Sequence, residues 1–288
     1  NNKNFAGAIP YLKHGVKKAR AEFGAMDSTY SVFLGNLAFF YIQLGQYAEA
    51  EPIYLEQLGI KKELYGEEHS KYSIALNSLA ILYFRMGKYD LAEKLYFKSQ
   101  KIWKESVGET HPGYATSLNN LGGLYSEKGN YKAALLLYKQ SIDINKRSLG
   151  TRHPSYATAL NNLAALHLKM GALDTAFIYC MTSIAANSRD FEQNFPNVLL
   201  NNIPDTEIQY TPTNCCKTLE ANQFLNLPQL DYNSSLVFNR SLLNLLSISK
   251  AQGKQSLDKK KLVAHYNICK AAMQVNEKIR NSFSGKAN

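Results

Sequence analysis

A 42-residue period runs through the first two-thirds of the chain. The same phrase, a glycine followed by histidine three residues later and tyrosine three residues after that, begins at Gly66, Gly108 and Gly150. Both intervals are 42 residues, since 108 − 66 and 150 − 108 are equal. A fixed period of about 20–50 residues is typical of stacked-repeat proteins. The period therefore predicts a solenoid, a class that presents an extended surface and usually binds ligands.

Each copy has the pattern of a helical hairpin. In the third copy, Leu118, Leu121 and Tyr125 recur at the spacing that places apolar residues on one face of an α-helix. Gly129 stands where a left-handed residue would end that helix, and Pro112 stands at its expected first position. One hairpin cannot bury both of its faces, so neighbouring copies must stack.

The register divides the chain into a repeat array at 3–189 and a region without the period. The predicted segments are a half repeat at 3–24, repeats at about 28–65, 70–107, 112–149 and 154–189, an irregular loop or insertion at 190–230, and a C-terminal helical hairpin at 231–284. The half repeat is a second helix that lacks its first helix. We therefore expect the sequence to be a piece of a longer protein.

The repeat resembles the tetratricopeptide repeat. The positions that carry the resemblance are Leu118, Leu121, Gly122, Tyr125, Gly129, Tyr131, Ala134 and Tyr138. The 42-residue length and the residue pattern around each His-Pro pair are similar to those of the subclass found in kinesin light chains and many bacterial signalling proteins. The resemblance implies an all-α fold, a right-handed α-solenoid of tetratricopeptide hairpins closed by a C-terminal helical cap.

The same resemblance implies a binding surface on the concave face, which first helices line. The candidate residues are Asn36, Asn77, Ser78, Asn119, Asn120, Asn161 and Asn162, with Thr116 and Thr158 one turn earlier and Arg85 and Lys169 further along. Val32, Ile74, Phe39 and Ile81 occupy neighbouring groove positions. An Asn side chain both donates and accepts, so a column of them can pair with the backbone of a peptide. The alternative is that the Asn pairs hold adjacent helices together.

These positions predict a non-enzymatic module that binds a protein or peptide segment. The carboxylate clamp of chaperone-binding repeats needs Lys and Arg at fixed inner positions. Only Arg85 and Lys169 come near, in places that do not match. We therefore do not expect capture of a chaperone C-terminus.

The histidines and cysteines predict no catalytic residue, no metal site and no cofactor. His69, His111 and His153 fall at helix starts, His167 replaces the Tyr of the repeat, and His14 and His265 are isolated. Cys180 occupies the position of a core Tyr, Cys215 and Cys216 are adjacent, and the chain has no C-x-x-C pair. His265 and Cys269 would share a helix face, but a second pair of ligands is missing.

The formal net charge of +10 leaves two interpretations open. Basic clusters such as Lys61-Lys62 lie late in second helices, where cations complement the helix dipole and a solvated outer face is expected. Electrostatic steering of an acidic partner is the other interpretation. No nucleic-acid motif accompanies the charge. Free thiols, with no secretory signal and no 18-residue apolar run, predict a cytoplasmic protein that does not enter a membrane.

A second resemblance concerns the end of the sequence. Asn276–Phe283 is similar to helical segments that join 42-residue repeats to a caspase-like CHAT protease domain in bacterial proteins. It implies a regulatory role, with a caspase-like protease attached to the repeats or bound by them. A third hypothesis is a scaffold within a nucleic-acid-guided complex.

Overall fold

The structure, a computed structural model, describes residues 2–186, all of whose regular elements are α-helices. They are α1 (Asn2–Phe23), α2 (Ser28–Gln43), α3 (Tyr47–Tyr65), α4 (Ser70–Arg85), α5 (Tyr89–Val107), α6 (Pro112–Glu127), α7 (Tyr131–Leu149), α8 (Pro154–Lys169) and α9 (Leu173–Ala186). The all-α prediction is confirmed. The predictions for 190–230 and 231–284, and those for Cys215, Cys216, His265 and Cys269, lie outside the described residues.

Helices α2, α4, α6 and α8 each begin at a capped end. The Asp27 carboxylate accepts hydrogen bonds from the backbone N–H groups of residues 29 (2.6 Å) and 30 (3.3 Å). At the equivalent positions, Nδ1 of His69, His111 and His153 accepts from the backbone two residues later at 3.0, 3.0 and 3.1 Å. Each cap satisfies an amide that the helix leaves without a partner. The prediction that these histidines mark helix starts is confirmed.

Glycines with positive φ end the helices. Gly129 has φ 77° in the turn between α6 and α7, and Gly108 has φ 90° at the end of α5. Both values lie in the left-handed region that disfavours a side chain. The glycines of the other copies lie at the same two register positions, so the period fixes where the chain reverses.

The chain forms two compact units, α1–α6 up to Gly129 and a second unit from Asn130 onward. In the first unit each helix contacts the next along the chain, and α4 also contacts α2 and α6. In the second unit α8 contacts both α7 and α9. The core repeats with the sequence, because equivalent positions are buried in successive copies: Leu34, Leu76, Leu118 and Leu160 on first helices, and Ala50, Ala92, Ala134 and Ala176 on second helices.

A polar contact inside the hairpin recurs at a separation of 26 residues. The Gln57 side chain donates to the carbonyl oxygen of residue 31 (2.8 Å), and Ser183 Oγ donates to that of residue 157 (2.7 Å). In the hairpin of α4 and α5, buried Ser73 and Ser99 share a hydroxyl contact of 2.8 Å. A buried polar group is costly unless it is paired. These contacts therefore fix the axial position of the second helix relative to the first within each hairpin.

A Tyr–Glu hydrogen bond joins neighbouring hairpins. Tyr83 Oη donates to Glu51 Oε1 at 2.8 Å, and Tyr125 Oη donates to Glu93 Oε1 at 2.9 Å. One copy later both residue types change together, since Leu135 replaces the glutamate and His167 replaces the tyrosine.

His167 instead stacks on Tyr179, with ring centroids 5.4 Å apart and planes at 15°. Within the described residues its buried Nδ1 has no hydrogen-bond partner. Burial, with a smaller contribution from the charge of Lys139, lowers the pKa of His167. Cys180 is fully buried, which confirms its prediction as a small core residue.

Candidate functional site

Each first helix carries one row of residues spaced by alternating intervals of three and four, which places them on one face. We call these rows the first-helix stripes. They are Thr29, Val32, Asn36, Phe39 and Gln43 on α2; Lys71, Ile74, Ser78, Ile81 and Arg85 on α4; Gly113, Thr116, Asn120, Gly123 and Glu127 on α6; and Ser155, Thr158, Asn162, Ala165 and Lys169 on α8. All of these residues are exposed or half-buried. The stripes are therefore the faces that the first helices leave accessible.

The stripes of α2 and α4 carry large apolar side chains in contact with solvent. The exposed fractions of Val32, Phe39 and Ile74 are 51%, 41% and 54%. At the register positions of Val32 and Phe39, α6 has only Thr116 and Gly123. Helix α2 contains no charged residue at all. In a chain of net charge +10, the uncharged stripe of α2 therefore differs from that of α4, which carries Lys71 and Arg85.

Two of the predicted amides lie in hydrogen-bonding contact. Asn120 Nδ2 on α6 donates to Asn77 Oδ1 on α4 at 2.7 Å. The bond joins first helices of neighbouring hairpins, as the helix-bridging interpretation requires. It uses one donor of Asn120 and the acceptor of Asn77, so the amide nitrogen of Asn77 and the carbonyl oxygen of Asn120 keep capacity for another partner.

The predicted hydroxyls form hydrogen bonds within their own helices. Ser78 Oγ donates to the carbonyl of Ile74 at 3.1 Å. Thr116 and Thr158 donate to the carbonyls of the prolines four residues earlier, at 3.0 and 2.9 Å. Such back-bonding satisfies the hydroxyl proton locally. These residues therefore offer a methyl group or an acceptor lone pair to a ligand.

The remaining predicted residues differ in accessibility. In the first unit Asn36 and Arg85 are exposed and Asn119 is half-buried. In the second unit Asn162 is half-buried and Lys169 is exposed, whereas Asn161 is only 4% exposed. The Asn161 side chain therefore packs within the repeat.

The sequence placed Val32 and Ile74 in the register of the groove, but it gave no measure of their exposure. The usable signal was that these apolar residues stand outside the positions that form the core, such as Leu34 and Leu76. Among residues 2–186, none of the helices has the length and apolarity needed to span a bilayer. The same part of the chain holds no group of three His, Cys, Asp or Glu side chains that could hold a metal ion.

Comparison with known proteins identifies the repeat. Residues 28–96 and 73–147 match the family model of the tetratricopeptide repeat. BtubC (BKLC) from P. vanneervenii is 22% identical with a TM-score of 0.57, over 98% of this chain and 92% of that one. A substituted form of a putative kinesin light chain from Podosopora anserina, with nearly identical TPR-like repeats, is 22% identical with a TM-score of 0.50, over 65% and 88%. The apo form of RapI is 17% identical with a TM-score of 0.52, over 97% and 94%.

At these identities the likeness shows the fold alone. No curated relative matches the sequence.

Proposed function

We propose that this chain, whose residues 28–147 are tetratricopeptide repeats, is an interaction module that binds an extended segment of a partner protein on the first-helix stripes of α2, α4 and α6. Tetratricopeptide arrays are generally non-catalytic and present surfaces for protein–protein interaction. The observation that carries the proposal is the exposure of large apolar side chains on two first helices. Val32 and Phe39 lie on α2, which has no charged residue, and Ile74 lies on α4. Exposed apolar clusters of this kind mark interaction sites.

The amides supply a second element of recognition. Asn120 and Asn77 are linked by their own hydrogen bond, which orients both side chains and leaves the amide nitrogen of Asn77 and the carbonyl oxygen of Asn120 with capacity to pair with the backbone of the bound segment. Backbone pairing tolerates many sequences, whereas the apolar contacts at Val32, Phe39 and Ile74 select the side chains. The proposed ligand is therefore an extended segment with apolar residues over α2 and α4.

The proposed setting is a cytoplasmic signalling protein in which the repeats sense a partner. Regulation of a caspase-like protease, suggested by the likeness of residues 276–283 to CHAT-associated segments, is the alternative. These residues lie outside the described part of the chain. The open reading frame after Asn288 tests this alternative, because absence of a His/Cys caspase-like domain encoded there would remove it.

A peptide-display selection tests the binding surface and supplies its own ligands. Random peptides are selected on the full chain, and the affinity of the best binders is measured for Ile74→Asp and for Leu55→Asp. Leu55 is a matched control, since it is 48% exposed on second helix α3. We expect Ile74→Asp to weaken binding at least tenfold, which corresponds to about 1.4 kcal/mol, and Leu55→Asp to leave it unchanged. Equal effects of the two variants would refute the assignment to first helices.

A further inference from the structure

A buried lysine lies where the first hairpin meets the second. Lys61, near the end of α3, is only 8% exposed, although the next residue, Lys62, is exposed. The prediction of a solvated face is therefore wrong for Lys61. Lysine is almost never this deeply buried unless its ammonium group is paired.

Side chains from three helices meet at this junction, linked through Tyr65 and Ser28. Lys61 Nζ lies 3.3 Å from Ser28 Oγ at the start of α2 and 5.3 Å from the centroid of the Tyr65 ring. Lys71 on α4 places its Nζ 4.3 Å from the same ring centroid and 3.3 Å from Tyr65 Oη. We call Ser28, Lys61, Tyr65 and Lys71 the Lys61 pocket. Lys71 is exposed and Tyr65 half-exposed, so the pocket is open on that side.

The pocket holds two cations without an ion pair. Among residues 2–186, no carboxylate lies within ion-pairing distance of Lys61 or Lys71. The Asp27 carboxylate accepts from backbone amides at the start of α2, and Glu67 binds Lys62 and Lys98. Burial, and then the nearby charge of Lys71, both lower the pKa of Lys61, while Tyr65 and Asp27 act in the opposite direction.

Donors outnumber acceptors in the pocket. Two ammonium groups and two hydroxyls carry eight N–H or O–H hydrogens, against two hydroxyl oxygens that can accept. The Tyr65 oxygen already accepts from Lys71 Nζ at 3.3 Å. The neighbouring Ser28 hydroxyl and then Lys71 lower the pKa of this phenol. A group with several acceptor oxygens and negative charge would satisfy the unused donors.

From these contacts we propose that Ser28, Lys61, Tyr65 and Lys71 bind a tetrahedral oxyanion, either inorganic phosphate or a phosphate monoester. The site is distinct from the first-helix stripes except for Lys71, which begins the stripe of α4. Phosphate binding here does not depend on the proposed peptide.

The next junction shows that the repeat does not itself require a cation at this position. There, Trp103 occupies the register of Lys61, and Gly113 occupies that of Lys71. The indole stacks on His111, with centroids 5.1 Å apart and planes at 13°. An apolar ring is therefore compatible with this register position, so the repeat itself does not dictate Lys61 and Lys71.

Residue-resolved acetylation of the full chain tests the proposal. The protein is treated with an amine-acetylating reagent in increasing inorganic phosphate, with sodium chloride adjusted to keep the ionic strength constant. Mass spectrometry then follows Lys71 and the exposed control Lys101. Protection of Lys71 should rise as 1 + [phosphate]/Kd, reaching about fivefold at four times Kd, while Lys101 is unchanged. O-phosphoserine should protect in the same way, and acetate should not.

Variants separate binding from a general effect of salt. Lys61→Met should abolish the protection of Lys71. Because a buried substitution can impair folding, Lys61→Trp with Lys71→Gly provides a second variant that copies the next junction. Phosphate should raise the thermal unfolding midpoint of the unaltered protein and of the Lys101→Met control. It should not raise the midpoint of the Lys61→Trp, Lys71→Gly double variant. Equal protection of Lys71 and Lys101, equal protection by acetate, or an unchanged response in both pocket variants would overturn the proposal. None of these results depends on peptide binding to the stripes.

Discussion

The Tyr83–Glu51 hydrogen bond is expected to stabilise the packing of the second hairpin on the first. A double-mutant cycle with Tyr83→Phe, Glu51→Ala and the double variant measures this contact. Tyr83 Oη donates to Glu51 Oε1 at 2.8 Å, and both side chains are half-buried. Glu51 forms no ion pair within the described residues, so the cycle isolates one contact.

The expected size follows from the charge of the acceptor. Hydrogen bonds to ionised groups contribute about 1.5–3 kcal/mol to the free energy of unfolding. Partial exposure places this bond at the lower end, so we expect Tyr83→Phe to cost about 1.5 kcal/mol and the coupling energy to be about 1 kcal/mol. Tyr41→Phe is the matched control. It removes a hydroxyl at the same register, where the residue of α1 corresponding to Glu51 is Ile9.

Urea unfolding followed by far-UV circular dichroism and by the fluorescence of Trp103, the single tryptophan, measures the cycle. Repeat arrays can unfold in steps, so the two probes must agree before one free energy is assigned. A coupling energy below about 0.3 kcal/mol, or an equal cost for Tyr41→Phe, would show that the Tyr83–Glu51 hydrogen bond does not stabilise the packing of the hairpins.

Alkaline pH gives an independent measurement of the same contact. Burial and then Glu51 raise the pKa of Tyr83 to about 12 from its usual 10.0. Since the folded state holds this proton more tightly, the contribution to stability is complete below about pH 10 and is lost as the pH rises toward about 12. We expect Tyr83→Phe to lack this component of the alkaline loss of stability.

Three further predictions concern the cap of α6, the packing of Trp103 against Gly113, and His167. His111→Ala should cost about 1 kcal/mol because it removes the cap of α6, whereas His111→Asn should preserve most of the stability in urea unfolding. Gly113→Ala should displace the Trp103 indole, since a Cβ there would lie 2.5 Å from ring carbons; a shift of the fluorescence maximum checks this. Burial and then Lys139 lower the pKa of His167, so the free energy of unfolding should fall as the pH drops below about 6.5. His167→Phe should reduce the difference between the free energies of unfolding measured at pH 8 and at pH 5.

The sequence was sufficient to predict those features of the fold that depend on local contacts. The Asp27 and His caps, the turn at Gly129 and the buried Cys180 all follow from register and residue type, because each depends on contacts within one helix end or on one core position. The all-α class followed from the same period. The stripes were also foreseeable as positions, since a helical face is fixed by spacing alone.

Contacts between separate helices could not be predicted in the same way. The Asn77–Asn120 hydrogen bond depends on how closely α4 approaches α6. The burial of Lys61 depends on Ser28 and Tyr65 as well as its own helix. The register separates the two lysines in residue type, since Lys62 aligns with Lys104 and Lys146 and Lys61 does not align with a lysine. It does not show that the Lys61 side chain is buried, because that depends on the packing of the hairpins.

The copies of this repeat serve as internal comparisons, because the register holds the backbone position constant while the side chain changes. The position of Lys61 is filled by half-buried Trp103 in the next copy and by Asn145, 2% exposed, in the one after. A cation, an indole and an amide have little in common as packing groups. A position that only filled space would favour residues of similar chemistry, as the leucines of the core do. The change of residue type at a fixed position shows that the repeat does not dictate a lysine there, and the pair of lysines is what distinguishes the first junction, where we propose the anion site.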